Sequence, residues 1–109
     1  MAKVKKKMKA EVVRHTRLRN KKVKKVAICG GSGSFLLSKA KVSGADMFIT
    51  ADFKYHEFFD AEKQIVVADI GHYETEQYTI ELLEEIINEK FSTFATYCTA
   101  INTNPVQYF

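Results

Sequence analysis

The chain has 109 residues, of which 46% are apolar, so it is long enough for one domain with a small core. Its net charge is +4, and no apolar run approaches the roughly 20 residues of a membrane-spanning helix, which excludes such helices. Both cysteines lie in apolar segments, which favours buried, reduced thiols over disulfides or a zinc knuckle. No signal peptide is evident, and we expect a cytoplasmic protein.

The charge is unevenly distributed along the chain. Residues 1–25 contain twelve Lys and Arg and one acidic residue, for a charge of +11, whereas residues 26–109 contain five basic and twelve acidic residues, for −7. A basic arm can bind nucleic acid phosphates, but no aromatic residue lies between the lysines to stack on bases. Blocks of like charge are usually disordered, so we expect a solvated or disordered basic leader over residues 1–11 and one α/β domain over residues 12–109.

The apolar pattern predicts alternating strands and helices. In chain order, these are an edge strand at Lys9–Thr16, a strand at Val23–Cys29, a helix from Phe35 through Ala40, a strand at Asp46–Thr50, a helix at Tyr55–Lys63, a strand at Ile65–Ala68, a long helix beginning near His72 and a last strand at Thr93–Thr99. The long helix has a predicted buried stripe formed by Ile80, Leu83, Ile86, Ile87 and Phe91. This order predicts an α/β fold with a mostly parallel or mixed sheet and flanking helices.

Three polar loops follow predicted strands. They are Gly30–Ser34, Thr50–His56 and Asp69–Glu76. In sheets of this class, ligands bind beyond the carboxyl ends of the strands. We therefore expect the three loops to lie on one rim of the sheet.

His72 and Glu76 are four residues apart, which places them on one face if a helix begins at His72. An imidazole with a carboxylate suits zinc, manganese or iron better than calcium or magnesium. Two ligands do not complete a site, and Asp52, His56 and Asp69 are the nearby groups that can add to it. The alternative is a helix start in which the carboxylates of the first turn interact with the helix dipole.

The other two loops allow two further functions. The backbone N–H groups of Gly31, Ser32 and Gly33 can bind a phosphate, or the glycines can form only a tight turn between strand and helix. His56 can donate or accept a proton near neutral pH, with Asp52 orienting it. Alternatively, Asp52 only caps the following helix.

Five ordered motifs resemble one known family. They are Cys29-Gly30-Gly31-Ser32-Gly33-Ser34, Gly44-Ala45-Asp46, Thr50-Ala51-Asp52-Phe53-Lys54-Tyr55-His56, Gly71-His72-Tyr73-Glu74-Thr75-Glu76 and Asn102-Thr103-Asn104-Pro105. Together they resemble the carboxyl-terminal half of the Nif-three-like family, also called domain of unknown function 34 or GTP cyclohydrolase 1 type 2 homologues. The resemblance covers about residues 12–109, and nothing before Val12 resembles the family's amino-terminal half.

The resemblance implies a two-domain α/β protein with two metal ions in the cleft between its domains, commonly assembled as a ring-shaped hexamer. It maps a histidine and a glutamate ligand onto His72 and Glu76. The family's other ligands lie in an amino-terminal half that this chain does not contain, so the resemblance implies an incomplete site. A binuclear site suits hydrolysis.

The sequence therefore supports two hypotheses. The first is a metal-binding half-domain of a metal-dependent hydrolase. Its site for zinc, manganese or iron is incomplete in this half alone and needs an amino-terminal half. The second is a non-enzymatic, homo-oligomeric interaction module whose basic arm binds nucleic acid or protein.

Overall fold

The computed structural model describes residues 1–109. The strands are β1 (Arg14–His15), β2 (Val26–Ser32), β3 (Met47–Ala51) and β4 (Val66–Asp69). The α-helices are α1 (Ala2–Lys7), α2 (Leu37–Val42), α3 (His72–Glu76) and α4 (Thr79–Lys90). Two 3-10 helices, Ser34–Leu36 and Tyr55–Ala61, lie between β2 and α2 and between β3 and β4. None of the helices is both long and apolar enough to cross a membrane.

The four strands form one mixed sheet with the order β1-β4-β3-β2. The strands β2, β3 and β4 are parallel, and β1 pairs antiparallel with β4 at the edge. Parallel strands of this class are covered on both faces, and every residue of β3 and β4 is buried, including the polar Thr50 and Asp69. The predicted α/β class with a mostly parallel or mixed sheet is confirmed.

The core has two layers because side chains alternate between the faces of a strand. One layer contains Phe48 and Val67 and is covered by α2 and the second 3-10 helix. The other contains Met47, Ile49 and Ala68 and is covered by Ala10 and the residues before it. The sheet is thus sandwiched between helices.

Residues 1–11 differ from the expected disordered leader. They contain α1, whose flanking and central apolar residues, Met1, Val4 and Met8, pack against the second core layer. These residues follow a helical spacing that places them on one face, with the lysines towards solvent. Ala10 is buried, so the core begins before residue 12.

The predicted long helix after β4 is divided into α3 and α4. Its predicted buried stripe is wrong. The exposed fractions of its residues are 45% for Ile80, 52% for Leu83, 40% for Ile86, 42% for Ile87 and 55% for Phe91. The pattern correctly predicts an amphipathic helix, but it contains no information on whether a second surface is present to cover that face.

The predicted strand at 93–99 is absent, because this segment does not pair with either edge of the sheet. Phe94 and Tyr97 remain exposed. The radius of gyration, 16.2 Å, exceeds the about 13 Å expected for a compact domain of this length. The apolar residues of α4 and of the segment after it are exposed, so this part of the chain packs less closely than the three-stranded parallel core.

Candidate metal-binding site

The loops after β2, β3 and β4 meet at the carboxyl ends of these parallel strands. Asp52 follows β3, and His72 begins α3 after β4. The register pairs Thr50 with Asp69, so Asp52 and His72 emerge from neighbouring strands only two and three residues later. The third loop brings Gly31 against α3. The predicted rim is formed by this arrangement.

His72 lies between two carboxylates. Its Nδ1 is 2.6 Å from Oδ2 of Asp52, and its Nε2 is 3.3 Å from Oε2 of Glu76. About half of each side chain is exposed: 54% for His72, 47% for Asp52 and 51% for Glu76. The predicted i, i+4 pair is therefore on one face and open to solvent, with Asp52 on the other side of the ring.

The two carboxylates raise the pKa of the imidazole. The hydrogen bond with Asp52 raises the pKa of His72, its partial burial lowers the pKa, and the charges of Asp52 and Glu76 raise it further. When the neutral ring donates its Nδ1 proton to Asp52, the lone pair is on Nε2 and points towards Glu76. This is the tautomer in which a histidine binds a metal while a carboxylate holds its other nitrogen.

Asp52 has a φ of +59°, in the left-handed region that non-glycine residues rarely occupy. Such backbone conformations persist where the surroundings enforce them and are frequent at functional sites. Here the conformation directs the carboxylate from the end of β3 towards the ring of His72. Asp52 was predicted to orient His56, although the register of β3 and β4 places it beside His72 instead.

Gly31 allows the glycine loop to approach the pair closely. Its φ is +61°, and a Cβ at this position would lie 2.6 Å from Oε1 of Glu76 and 3.2 Å from Nε2 of His72. Its N–H donates to Oγ1 of Thr75, at 2.8 Å. Because that donor is occupied, the structure favours the tight-turn alternative at Gly31 over phosphate binding.

The rest of the predicted phosphate loop also differs from an anion site. A Cβ at Gly33 would collide with the hydroxyl of Thr50, so this glycine is required for packing. Ser32 is exposed at the end of β2. The following 3-10 helix has only three residues, which gives it a negligible dipole for an anion. The predicted site at Gly31, Ser32 and Gly33 is therefore not formed as an anion cradle.

His56 lies apart from the cleft that contains His72. It is exposed on the 3-10 helix Tyr55–Ala61 and does not line that cleft. The structure therefore brings Asp52, but not His56, beside His72.

Asp69, a predicted helper ligand, has a structural role. It is 4% exposed, and its carboxylate accepts hydrogen bonds from the N–H groups of Phe53 at 2.9 Å and Gly71 at 3.2 Å. It also pairs with Arg14, which donates to the carbonyl of Phe53 at 2.9 Å. Asp69 thus connects the loops after β3 and β4 to the edge strand.

The cleft around His72 has a volume of about 550 Å³, and the carboxyl-terminal segment forms part of its wall. This wall includes Asn104, Pro105 and Tyr108. Burial raises the pKa of the Tyr108 hydroxyl, and the carboxylate of Glu74 raises it further. The fifth sequence motif, Asn102-Thr103-Asn104-Pro105, therefore reaches the cleft around His72.

The donor set is partial. His72 and Glu76 converge, but no group of three His, Cys, Asp or Glu side chains is arranged to hold a metal ion. A structural zinc site needs about four protein ligands and a catalytic one about three. The residues present fit part of a metal site, with one nitrogen and one oxygen donor.

Known proteins are similar to this chain in sequence and in fold. The family model described as Duf34/NIF3 (NGG1p interacting factor 3) matches residues 1–105, so the match begins before residue 12, where the resemblance in the sequence begins. The chain is 38% identical to a GTP cyclohydrolase 1 type 2 homolog of Campylobacter jejuni over 108 residues, which cover 97% of this chain and 42% of the relative. A homolog of the same name from Staphylococcus epidermidis is 40% identical over 110 residues, covering 95% of this chain and 30% of the relative.

Two solved structures have the same fold. Staphylococcus aureus protein SA1388 superposes with a TM-score of 0.82 and 34% identity, over 99% of this chain and 36% of that one. A Bacillus cereus protein related to NIF3 gives a TM-score of 0.75 and 28% identity, over 96% of this chain and 30% of that one. The chain spans less than half the length of each of these proteins.

Proposed function

The chain belongs to the Duf34/NIF3 family, and we propose that it supplies part of the divalent-metal site of a metal-dependent hydrolase. The observation that carries the proposal is the alignment of three side chains: Asp52 holds Nδ1 of His72, whose Nε2 faces Glu76. A helix start stabilised only by its dipole does not require the carboxylate of Asp52 on the far side of the ring.

The donor chemistry favours zinc, manganese or iron, since calcium and magnesium prefer oxygen ligands alone. His72 would bind through Nε2 and Glu76 through its carboxylate. The remaining ligands would come from polypeptide outside the matched region, because the relatives are more than twice as long as the segment they share with this chain. Alone, the chain would bind metal weakly and be inactive.

In this proposal, the residues around His72 and Glu76 have distinct roles. Asp52 holds the ring and its tautomer, as carboxylates commonly do for metal-binding histidines. Gly31 leaves the space in which the Nε2 of His72 and the carboxylate of Glu76 converge. A bound divalent metal would supply Lewis-acid polarisation and an acidified water, the chemistry of hydrolysis. The relatives' name, GTP cyclohydrolase 1 type 2 homolog, is consistent with this reaction type.

Metal binding to the purified chain tests the proposal. Zn²⁺, Mn²⁺ and Fe²⁺ are titrated separately into the metal-free chain by calorimetry under exclusion of oxygen. We expect binding that His72→Ala and Glu76→Gln each weaken at least about tenfold, with His56→Ala as a control that has no effect. Binding that is unaffected by His72→Ala contradicts the proposal, as does the absence of binding to the unsubstituted chain.

A second candidate function, a homo-oligomeric interaction module, is favoured by α4. This helix has no buried residue, and its apolar side chains face solvent. Contiguous exposed apolar surface marks interaction sites in soluble proteins. Sedimentation of the chain over a range of concentrations tests this function, and a monomer at every concentration contradicts it.

A further inference from the structure

A second cleft, with a volume of about 1010 Å³, lies along the open edge of the sheet. Residues 14–19, which include β1, form one wall, and the 3-10 helix Tyr55–Ala61 with the residues after it forms the other. The cleft does not contain His72 or Glu76. We propose that this cleft binds single-stranded nucleic acid.

The walls of this cleft are positively charged. Arg17, Arg19 and Lys63 line the cleft and form no ion pair in the structure. The one carboxylate on its walls, Glu62, is neutralised by Lys41 outside it. The walls therefore carry unpaired positive charge, which attracts a phosphate backbone and releases its condensed counterions on binding.

Two exposed aromatic rings lie on the second wall. Tyr55 is 80% exposed and Phe59 is 67% exposed, with their ring centroids 5.6 Å apart and their planes at 75°. Proteins that bind single strands combine cationic walls with aromatic faces on which bases stack. The exposed rings beside unpaired cations match both parts of that arrangement.

The wall that contains Tyr55 and Phe59 packs against the core through Phe58. Phe58 lies 5.3 Å from the buried ring of Phe53, and the guanidinium of Arg14 lies 5.5 Å above Phe58. Arg14 is itself held by Asp69 and by the carbonyl of Phe53. The platform next to Tyr55 and Phe59 is thus anchored to the core before any ligand binds, which reduces the entropy lost on binding.

The same features disfavour other polyanions. An acidic peptide can pair with the arginines but leaves both rings without a stacking partner. A duplex keeps its bases stacked on one another and presents only phosphates to the cleft. A single strand alone uses the cations and the rings together. The cations and the aromatic rings lie about 40 residues apart in the sequence, and only the fold brings the two walls together. The sequence pattern, which has no aromatic residue among the leading lysines, therefore does not indicate this cleft.

Fluorescence anisotropy of a labelled oligothymidylate of about 12 nucleotides, titrated with the whole chain, tests the proposal. At about 50 mM salt we expect Tyr55→Ala/Phe59→Ala to weaken binding at least about tenfold, and Tyr55→Phe to bind like the unsubstituted chain. Phe35→Ala is the matched control, since that ring is 75% exposed but lies outside the cleft.

The salt dependence of binding tests the role of the arginines independently of the aromatic variants. Between about 50 and 200 mM salt, Arg17→Gln/Arg19→Gln should reduce the slope of log K against log salt by about 1.4, or about 0.7 for each phosphate that the variant no longer neutralises. Lys22→Gln/Lys24→Gln, which removes two positive charges outside the cleft, controls for net charge. An unchanged affinity of the aromatic variant overturns the proposal. So does equal affinity for an acidic peptide or a duplex of the same length.

Discussion

Oδ2 of Asp52 lies 2.6 Å from Nδ1 of His72, and the two residues come from loops after neighbouring parallel strands. We expect Asp52→Asn to weaken metal binding about 10- to 100-fold, because the amide no longer holds the ring as a charged acceptor. Asn tolerates a positive φ as well as Asp, so the backbone is unaffected. Calorimetric titration with Zn²⁺ measures the change.

Asp60→Asn is the matched control for this substitution. Asp60 is exposed on the 3-10 helix, and its side chain makes no hydrogen bond or ion pair. Nitrogen chemical shifts of His72 in the metal-free protein report its tautomer independently of metal affinity. An Asp52→Asn protein with unchanged tautomer and unchanged affinity would remove Asp52 from the site.

Gly31→Ala should destabilise the protein and also disturb the site. Its positive φ costs an L-residue about 1–2 kcal/mol, and its Cβ would lie 2.6 Å from Oε1 of Glu76. Gly44→Ala separates the two effects, since Gly44 has a φ of +73° and open space around its Cβ position. Urea unfolding should show the larger loss for Gly31→Ala, and only this variant should lose metal affinity. Equal losses in both variants would contradict the close approach.

Asp69→Ala should lower the free energy of unfolding by about 3 kcal/mol, because it leaves the N–H groups of Phe53 and Gly71 without their acceptor. Arg14→Gln should cost about 1 kcal/mol or less, since Arg14 is 54% exposed and exposed ion pairs contribute little. Urea unfolding of both variants measures the difference. A larger loss for Arg14→Gln would show that the ion pair, rather than the backbone contacts, dominates.

The stability contribution of Asp46 should depend on pH. Hydrogen bonds from the backbone N–H groups of Lys24 and Lys25, together with Lys21, lower the pKa of Asp46 from 3.8 to about 2. A folded-state pKa below the unfolded value stabilises the fold above pH 3.8, and this contribution is lost as the pH falls to about 2. Asp46→Asn should therefore lower the thermal midpoint at pH 7 and have little effect near pH 2. A pH-independent difference would contradict the assignment.

Leu83→Glu on α4 should change the free energy of unfolding by less than about 0.5 kcal/mol, because the side chain is already 52% exposed. Phe48→Ala in the core should cost about 3–5 kcal/mol in the same assay. If α4 mediates self-association, Leu83→Glu should also shift the sedimentation distribution towards the monomer. A large loss of stability without any change in association would assign α4 to the fold instead.

The sequence pattern predicted the buried strands and the common face of His72 and Glu76, because both depend on residues close together in the sequence. The apolar runs at β3 and β4 gave buried strands, and the parallel order placed the polar loops on one rim. The spacing of His72 and Glu76 gave their common face. Each of these follows from periodicity and from the geometry of parallel strands.

The errors concern relationships between distant segments. The lysines of α1 concealed an apolar face formed by Met1, Val4 and Met8. The stripe of α4 has no covering surface within this chain. His56 was placed by sequence proximity and Asp52 was given the wrong partner, since only strand register determines which loop residues meet. Helical periodicity shows which face is apolar but does not identify what packs against it.

The position of β1 has a consequence for the order of folding. The parallel pairs β2–β3 and β3–β4 connect successive segments, whereas Arg14 reaches Asp69 across 55 residues. Because the entropy cost of closing a loop grows with its length, we expect the parallel strands to associate first and β1 to dock late. Substitutions at Arg14 should then accelerate unfolding and leave the refolding rate nearly unchanged.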